Sequence, residues 1–149
     1  MDAYALLLAA TLNAGTVLAL AALGLLINEK SGIVNLGAEG MMLCAAVAGF
    51  AAVVHTGQDS LGFLAGMVAG GVLAALFGVL VIWLNTNQYA TGLALSLFGA
   101  GFSAFVGVPY VQAKLPERMV YEIPGLADLP FIGPALFRQH PMVYLAVAL

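Results

Sequence analysis

Four long, almost uninterrupted apolar runs restrict this chain to a membrane-spanning helical fold. They cover residues 4–27, 38–54, 61–84 and 90–108. A helix that crosses a hydrocarbon core of about 30 Å needs roughly 17 to 25 residues, so each run is long enough. A closed barrel would instead show short segments of alternating polarity. The runs therefore predict an all-α fold, a polytopic transmembrane helical bundle.

The composition excludes a soluble domain and several classes of function. Hydrophobic residues make up 63% of the chain and charged residues 7%, whereas soluble domains carry about 25% charged residues. The net charge is −3 and no Lys/Arg cluster is present, so nothing predicts nucleic-acid binding. Because no nucleophile–base arrangement, metal-ligand spacing or phosphate-binding loop occurs, we expect no catalytic residue, metal or cofactor in this chain.

The sequence changes character after residue 108. All six prolines lie between residues 109 and 141, and proline interrupts helices. The proline content of residues 109–140 therefore predicts a long loop outside the helices. A fifth apolar run begins near residue 141 and is too short to span. We therefore expect residues 1–149 to be the N-terminal half of a longer membrane domain.

Stripes of small residues predict where the helices pack. Lipid gives apolar helices no hydrophobic reason to associate, so close backbone approach through small residues holds them together. The third and fourth runs carry such stripes. The predicted helix-packing positions are Gly66, Gly70, Gly78, Gly92, Ser96, Gly99 and Ser103.

A polar, glycine-rich segment at residues 31–40 separates the first two runs. Asn35 is suited to cap the following helix, and Glu39 would lie in its first turn, where the helix dipole favours a carboxylate. The segment is either a capped helix start at the membrane surface or a polar hinge that faces a translocation path or an adjoining subunit. The residues alone leave both interpretations open.

Other polar residues lie within or beside the apolar runs. Asn13 is near the middle of the first run, where an amide needs a partner on a neighbouring helix or a water-lined path. Gln88 and Thr91 lie at the start of the fourth run, where loop and capping roles compete with a path-lining role. The candidates for the substrate path or its hinge are Asn13, Asn35, Glu39, Gln88 and Thr91.

Three segments resemble one family of membrane proteins. They are GLLINEKSGIVNLGAEGMML at residues 24–43, NQYATGLALSLFG at residues 87–99, and IPGL through FIGP to HPMVYL between residues 123 and 145. In this order they resemble the permease subunits of bacterial ABC importers. The resemblance is to the nucleoside and simple-sugar branch of the ribose and branched-chain amino-acid permease family.

The resemblance implies a transport subunit of the bacterial plasma membrane rather than an enzyme. A separate cytoplasmic ATPase would bind ATP and Mg²⁺ and hydrolyse ATP. A second permease subunit, identical or not, would complete the path, and an extracytoplasmic binding protein would deliver a nucleoside or related sugar. The family pattern also implies that residues 28–37 and 85–89 are cytoplasmic and residues 109–140 extracytoplasmic, although the few Lys and Arg residues favour the reverse.

Two other functions remain open at this stage. One is half of a secondary transporter or channel, which usually needs an ionisable residue deep in the membrane. Only Glu39 approaches that depth, and it lies at a predicted helix start. The other is a truncated, non-transporting membrane protein.

Overall fold

The computed structural model describes residues 3–114, 121–122, 138–139 and 143–144. Across these residues, four helices are long and apolar enough to cross a membrane, which confirms the predicted all-helical membrane fold. The helices are α1 (Ala3–Lys30), α2 (Ala38–Thr56), α3 (Asp59–Gly78) and α4 (Gln88–Gly107). A π-helical turn (Val79–Trp83) extends α3, and a 3₁₀ turn (Val108–Tyr110) follows α4.

α1 continues one turn beyond the predicted apolar run, because backbone hydrogen bonds rather than polarity set its end. Gly32 has a φ of +84°. The N–H groups of Gly32 and Ile33 donate to the carbonyls of Glu29 and Asn28, at 2.9 and 3.0 Å. This is a Schellman cap, in which a left-handed residue ends the helix. The connection to α2 is therefore residues 31–37, shorter than the predicted 28–37.

The described structure divides into two compact units. One contains α1 through Gly24, together with two short strands, β1 (Tyr121–Glu122) and β2 (Arg138–Gln139), that pair antiparallel. The other begins at Leu25 and continues through α4 and the 3₁₀ turn. Most of the predicted loop at residues 109–140, and most of the predicted fifth run, lie outside the described residues.

The second unit is built around α2, which packs against both α3 and α4, while α3 and α4 contact each other little. Each of the three helices contributes one buried side chain to a common core: Met41, Phe77 and Leu95. Three partly buried side chains pack around them: Ile33, Leu73 and Val81. This core lies near the N-termini of α2 and α4 and the C-terminus of α3, beneath the polar connections.

Large apolar side chains remain exposed on the outer faces of the helices. Examples are Val72 on α3 and Leu97 and Phe105 on α4, with exposed fractions of 63%, 69% and 80%. Apolar faces of this kind suit a lipid environment or a further layer of membrane helices. Trp83 and Tyr89 are exposed at the ends of their helices, where aromatic rings anchor a protein at the membrane interface.

Candidate functional site: the polar end of the helix bundle

The side chain of Gln88, at the start of α4, binds the connection between α1 and α2. The N–H of Val34 donates to Oε1 of Gln88 at 3.0 Å. Residues 31–37 and the turn at residues 84–87 therefore form one continuous surface, which we call the polar end. Sequence reasoning selected Gln88 but did not predict this bond, because no periodicity relates residues 54 positions apart.

Asn35 does not cap α2 as the sequence predicted. The N-cap is Gly37, which carries no side-chain capping bond. Oδ1 of Asn35 accepts a hydrogen bond from the N–H of Gly37 at 2.9 Å, so the amide forms an Asx turn before the helix begins. Nδ2 of Asn35 lies 3.7 Å from Sδ of Met41. Glu39 is in the first turn of α2 and is exposed.

The cap of α4 is Asn87. Its Oδ1 accepts hydrogen bonds from the N–H groups of Tyr89 and Ala90, at 3.0 and 3.1 Å. This satisfies two of the four N–H groups that a helix start leaves without partners. The side-chain carbonyl oxygens of Asn87 and Gln88 therefore both accept hydrogen bonds from backbone N–H groups.

The turn between α3 and α4 has an irregular backbone. After the π-helical turn, the N–H and Oγ1 of Thr86 both donate to the carbonyl of Leu80, at 3.1 and 2.9 Å. Asn85 has a φ of +50°, a left-handed conformation that Asn tolerates better than most residues. Oγ1 of Thr86 is 2.9 Å from Oγ1 of Thr91, so the predicted path candidate Thr91 braces this turn.

A cavity of about 560 Å³ opens at the polar end. It is lined by residues 85–89 together with Gly32, Ile33, Val81 and Ile82. The volume falls within the roughly 300–1,000 Å³ typical of small-molecule sites. Of the predicted path candidates, Gln88 lines this cavity, and Asn35 and Thr91 lie on segments that line it. Glu39 lies on α2, which contributes none of the described lining residues.

Directly below the polar end, α2 and α4 approach until their backbones touch. A Cβ atom on Gly40 would lie 2.5 Å from the Leu95 carbonyl oxygen and 2.7 Å from the Ser96 Cα. A Cβ on Gly99 would collide with the backbone of Gly40. Sγ of the buried Cys44 lies 3.8 Å from the Gly99 carbonyl oxygen. Ser96 and Gly99, both predicted packing positions, therefore lie at a helix contact.

Gly92 brings α4 equally close to the connection. A Cβ at this position would lie 2.9 Å from the N of Leu36 and 3.0 Å from the N of Gly37. Any side chain at residue 92 would therefore push the connection away from α4. The predicted packing role of Gly92 applies to a loop rather than to a neighbouring helix.

The contact between α2 and α3 uses glycines from both helices. A Cβ on Gly49 would lie 2.9 Å from the Gly62 carbonyl oxygen, and one on Gly66 would lie 3.1 Å from the Ala45 carbonyl oxygen. A Cβ on Gly70 would make an ordinary 3.6 Å contact with the Ala45 Cβ. Sequence reasoning found Gly66 and Gly70 but missed Gly62, although Gly62 extends their four-residue spacing by one step.

Gly78, another predicted packing position, does not meet another helix among the described residues. The closest atom to a Cβ on Gly78 would be Cδ1 of Ile82, 4.0 Å away in the same helical segment. Oγ of Ser103 donates to the carbonyl of Ala100 at 3.1 Å, within its own helix. The four-residue spacing of small residues therefore identifies the helix face that packs, but it does not show how much of that face contacts another helix.

Asn13 lies in the first unit, away from the polar end in sequence. Its Nδ2 donates to the carbonyl of Ala9 at 3.0 Å. The neighbouring Thr16 makes the same kind of bond to the carbonyl of Leu12, at 2.7 Å. Asn13 and Thr16 thus each donate a hydrogen bond to the backbone of their own helix.

The opposite end of the second unit carries a different contact. Nε2 of His55 lies 3.0 Å from the hydroxyl of Tyr110, and the ring of Phe50 meets the Tyr110 ring edge-on, with centroids 6.3 Å apart. This joins the C-terminal ends of α2 and α4. The two polar connections therefore lie together at one end of the second unit, and His55 and Tyr110 lie at the other.

Comparison with known proteins identifies the family. Residues 7–131 match the family described as the permease component of the branched-chain amino acid transport system. A protein of Haloferax volcanii, provisionally named a glucose ABC transporter permease protein, is 44% identical over 145 residues, which cover 95% of this chain and 44% of that protein. No solved structure matches the chain.

Two further relatives are named for nucleosides. The guanosine ABC transporter permease protein of Bacillus subtilis is 33% identical over 94% of this chain and 48% of its own length. The nucleoside ABC transporter permease protein of Lactococcus lactis is 28% identical over 83% of this chain and 42% of its own length. The chain thus spans less than half the length of each of these relatives. It is a multi-pass membrane protein that belongs to the permease-component family of branched-chain amino acid transport systems.

Proposed function

We propose that this chain forms the N-terminal half of a permease subunit in an ABC importer for nucleosides or related simple sugars. The observation that carries the proposal is the similarity of nearly the whole chain to permeases named for glucose, guanosine and nucleosides. The subunit would form part of the solute path and would perform no chemistry itself.

The geometry supports a path-forming role over a purely structural one. Residues 31–37 and 84–87 are held together at one end of the bundle, where a transporter needs a surface that responds to its partners. The turn there combines a π-helical segment and a left-handed Asn85. π-Helical turns of this kind occur frequently at functional sites.

The proposed partners follow from the proposed function. A cytoplasmic ATPase would supply the energy, a second permease subunit would complete the path, and an extracytoplasmic binding protein would present the solute. In this arrangement the polar end faces the cytoplasm.

Uptake into proteoliposomes tests the proposal. The complete permease that contains this chain would be reconstituted with its second permease subunit, its ATPase and its binding protein. Labelled guanosine and labelled glucose would be offered with ATP. The matched control carries an ATPase whose phosphate-loop lysine is replaced, because that lysine reaches the β- and γ-phosphates.

Each outcome distinguishes the alternatives. Uptake that needs hydrolysable ATP and survives ionophores supports the ABC importer. Uptake without ATP that ionophores abolish would instead show a secondary transporter. Absence of uptake of both solutes, in an assembled complex that hydrolyses ATP, would contradict the proposed substrate class.

A further inference from the structure

The lining of the cavity at the polar end combines apolar and polar side chains. Ile33, Val81 and Ile82 provide apolar surface, while residues 85–89 provide amides and hydroxyls. Small-molecule sites typically combine an apolar lining with a few placed polar groups that fix orientation. The cavity has both, and its volume of about 560 Å³ leaves room for a monosaccharide or a nucleoside.

The lining has no charge. None of the lining residues that the structure describes is Asp, Glu, Lys, Arg or His. Recognition of carboxylates and phosphates usually relies on charged donors, arginine above all, and a cationic ligand needs a carboxylate or an aromatic cage. The cavity therefore suits a neutral solute.

Hydrogen bonds within the fold determine which donors and acceptors of Asn87 and Gln88 remain available to a ligand. Oδ1 of Asn87 accepts from two backbone N–H groups, and Oε1 of Gln88 accepts from Val34. Their amide NH₂ groups have no protein partner in the part of the chain that the structure describes. The side chains of Asn87 and Gln88 therefore already use their oxygens as acceptors and keep their NH₂ donors.

We propose that this cavity binds a neutral, oxygen-rich solute of the sugar or nucleoside class. The NH₂ groups of Asn87 and Gln88 donate to hydroxyl or carbonyl oxygens of the solute. The apolar side chains of Ile33, Val81 and Ile82 pack against the face of the sugar ring or the base. This inference rests on the proposed transport function and adds to it a binding site and the residues that select the solute.

Two substitutions separate ligand binding from the structural roles of these amides. Asn87→Asp and Gln88→Glu keep the oxygens that accept from the backbone, but they replace the NH₂ donors by acceptor-only carboxylate oxygens. The fold should therefore be retained while the site loses its donors and gains a charge. Gln58→Glu is the matched control: it makes the same chemical change at an exposed residue beside the N-terminus of α3, outside the cavity.

A third variant tests whether loss of an amide weakens binding when no charge is added. The side chain of Asn85 makes no hydrogen bond among the described residues, and its φ is +50°. Asn85→Gly removes an amide from the cavity without adding charge, and glycine accepts a positive φ without strain. This variant should weaken binding less than the two carboxylate variants do.

The experiment measures binding of tritiated guanosine and labelled glucose to the complete, detergent-solubilised transporter without its binding protein, by scintillation proximity. For whichever solute the wild type binds, Asn87→Asp and Gln88→Glu should each weaken binding roughly tenfold, which is the scale of one lost hydrogen bond with unfavourable charge. Gln58→Glu should bind like the wild type. Thermal unfolding of all variants in detergent should match the wild type.

The results separate this inference from the proposed function. If the wild type takes up a solute in proteoliposomes but all cavity variants bind it normally, the cavity is not the site, while the transport function stands. If the wild type takes up a solute but binds none without its binding protein, the inference is also overturned. If the wild type neither transports nor binds either solute, both fail.

Discussion

Replacing Gly40 by alanine would test the backbone contact between α2 and α4. A Cβ at this position would lie 2.5 Å from the Leu95 carbonyl oxygen and 2.7 Å from the Ser96 Cα. Two carbon atoms in favourable contact are about 3.5–4.0 Å apart. α2 and α4 would therefore have to separate by about 1 Å, since the obstructing atoms belong to backbone and cannot rotate away.

The expected cost follows from this separation. Overpacking a well-packed contact costs about 1–3 kcal/mol. Alanine also favours the helix over glycine by roughly 0.5–1 kcal/mol, which offsets part of that cost. We therefore expect Gly40→Ala to lower the free energy of unfolding by about 1–2 kcal/mol.

The matched control is Gly71→Ala on α3. A Cβ on Gly71 would meet nothing within 4 Å, so only the helix-propensity gain applies and the variant should be neutral or slightly more stable. Both variants and the wild type would be unfolded reversibly in mixed micelles by titration with a denaturing detergent, with helix content as the signal. Equal stability of Gly40→Ala and Gly71→Ala would refute the backbone contact between α2 and α4.

Three further predictions concern residues in or beside the polar end. Asn87→Ala removes both capping bonds of α4 and should cost about 1 kcal/mol in the same unfolding assay, whereas Asn87→Asp should cost nothing; a stable Asn87→Ala would show that the cap is dispensable. Gln88→Ala leaves the Val34 N–H without its acceptor and should speed hydrogen exchange of that amide, while Gln88→Glu should keep it protected; unchanged exchange in Gln88→Ala would contradict the bond seen here. Glu39→Ala should change stability by under about 1 kcal/mol, because Glu39 is exposed and contributes only a first-turn dipole interaction. In the complete transporter it should nevertheless reduce uptake at normal assembly, measured as uptake per assembled complex; unchanged uptake would limit Glu39 to a helix-start role.

The fold class was predictable because the bilayer allows few solutions. Each apolar run long enough to span is a helix in the structure, since a helix satisfies its own backbone hydrogen bonds. The exact ends were less predictable. Polar residues at the end of α1 were assigned to a connection, but a Schellman cap at Gly32 keeps them helical.

The candidate site was only partly predictable from the sequence. Composition identified Gln88 and the segment around Asn35 as unusual polar groups beside apolar runs. It could not show that Asn35 would bond to Gly37 rather than cap α2, because both roles use the same side-chain oxygen. Nor could it reveal the bond from Val34 to Gln88 or the cavity, which exist only once distant segments meet.

The glycine contacts on both sides of α2 limit the motions available to the second unit. Where backbones touch, no flexible side chain lies between the helices to absorb a displacement. Gly40 fixes α2 against α4, and Gly49 fixes it against α3, so sliding or rotating α2 would first require the helices to separate. Shear between packed helices is thereby disfavoured, and hinge motion remains. We therefore expect α2, α3 and α4 to move together as one rigid body in any conformational change, with the bending confined to the segments that connect this body to the rest of the chain.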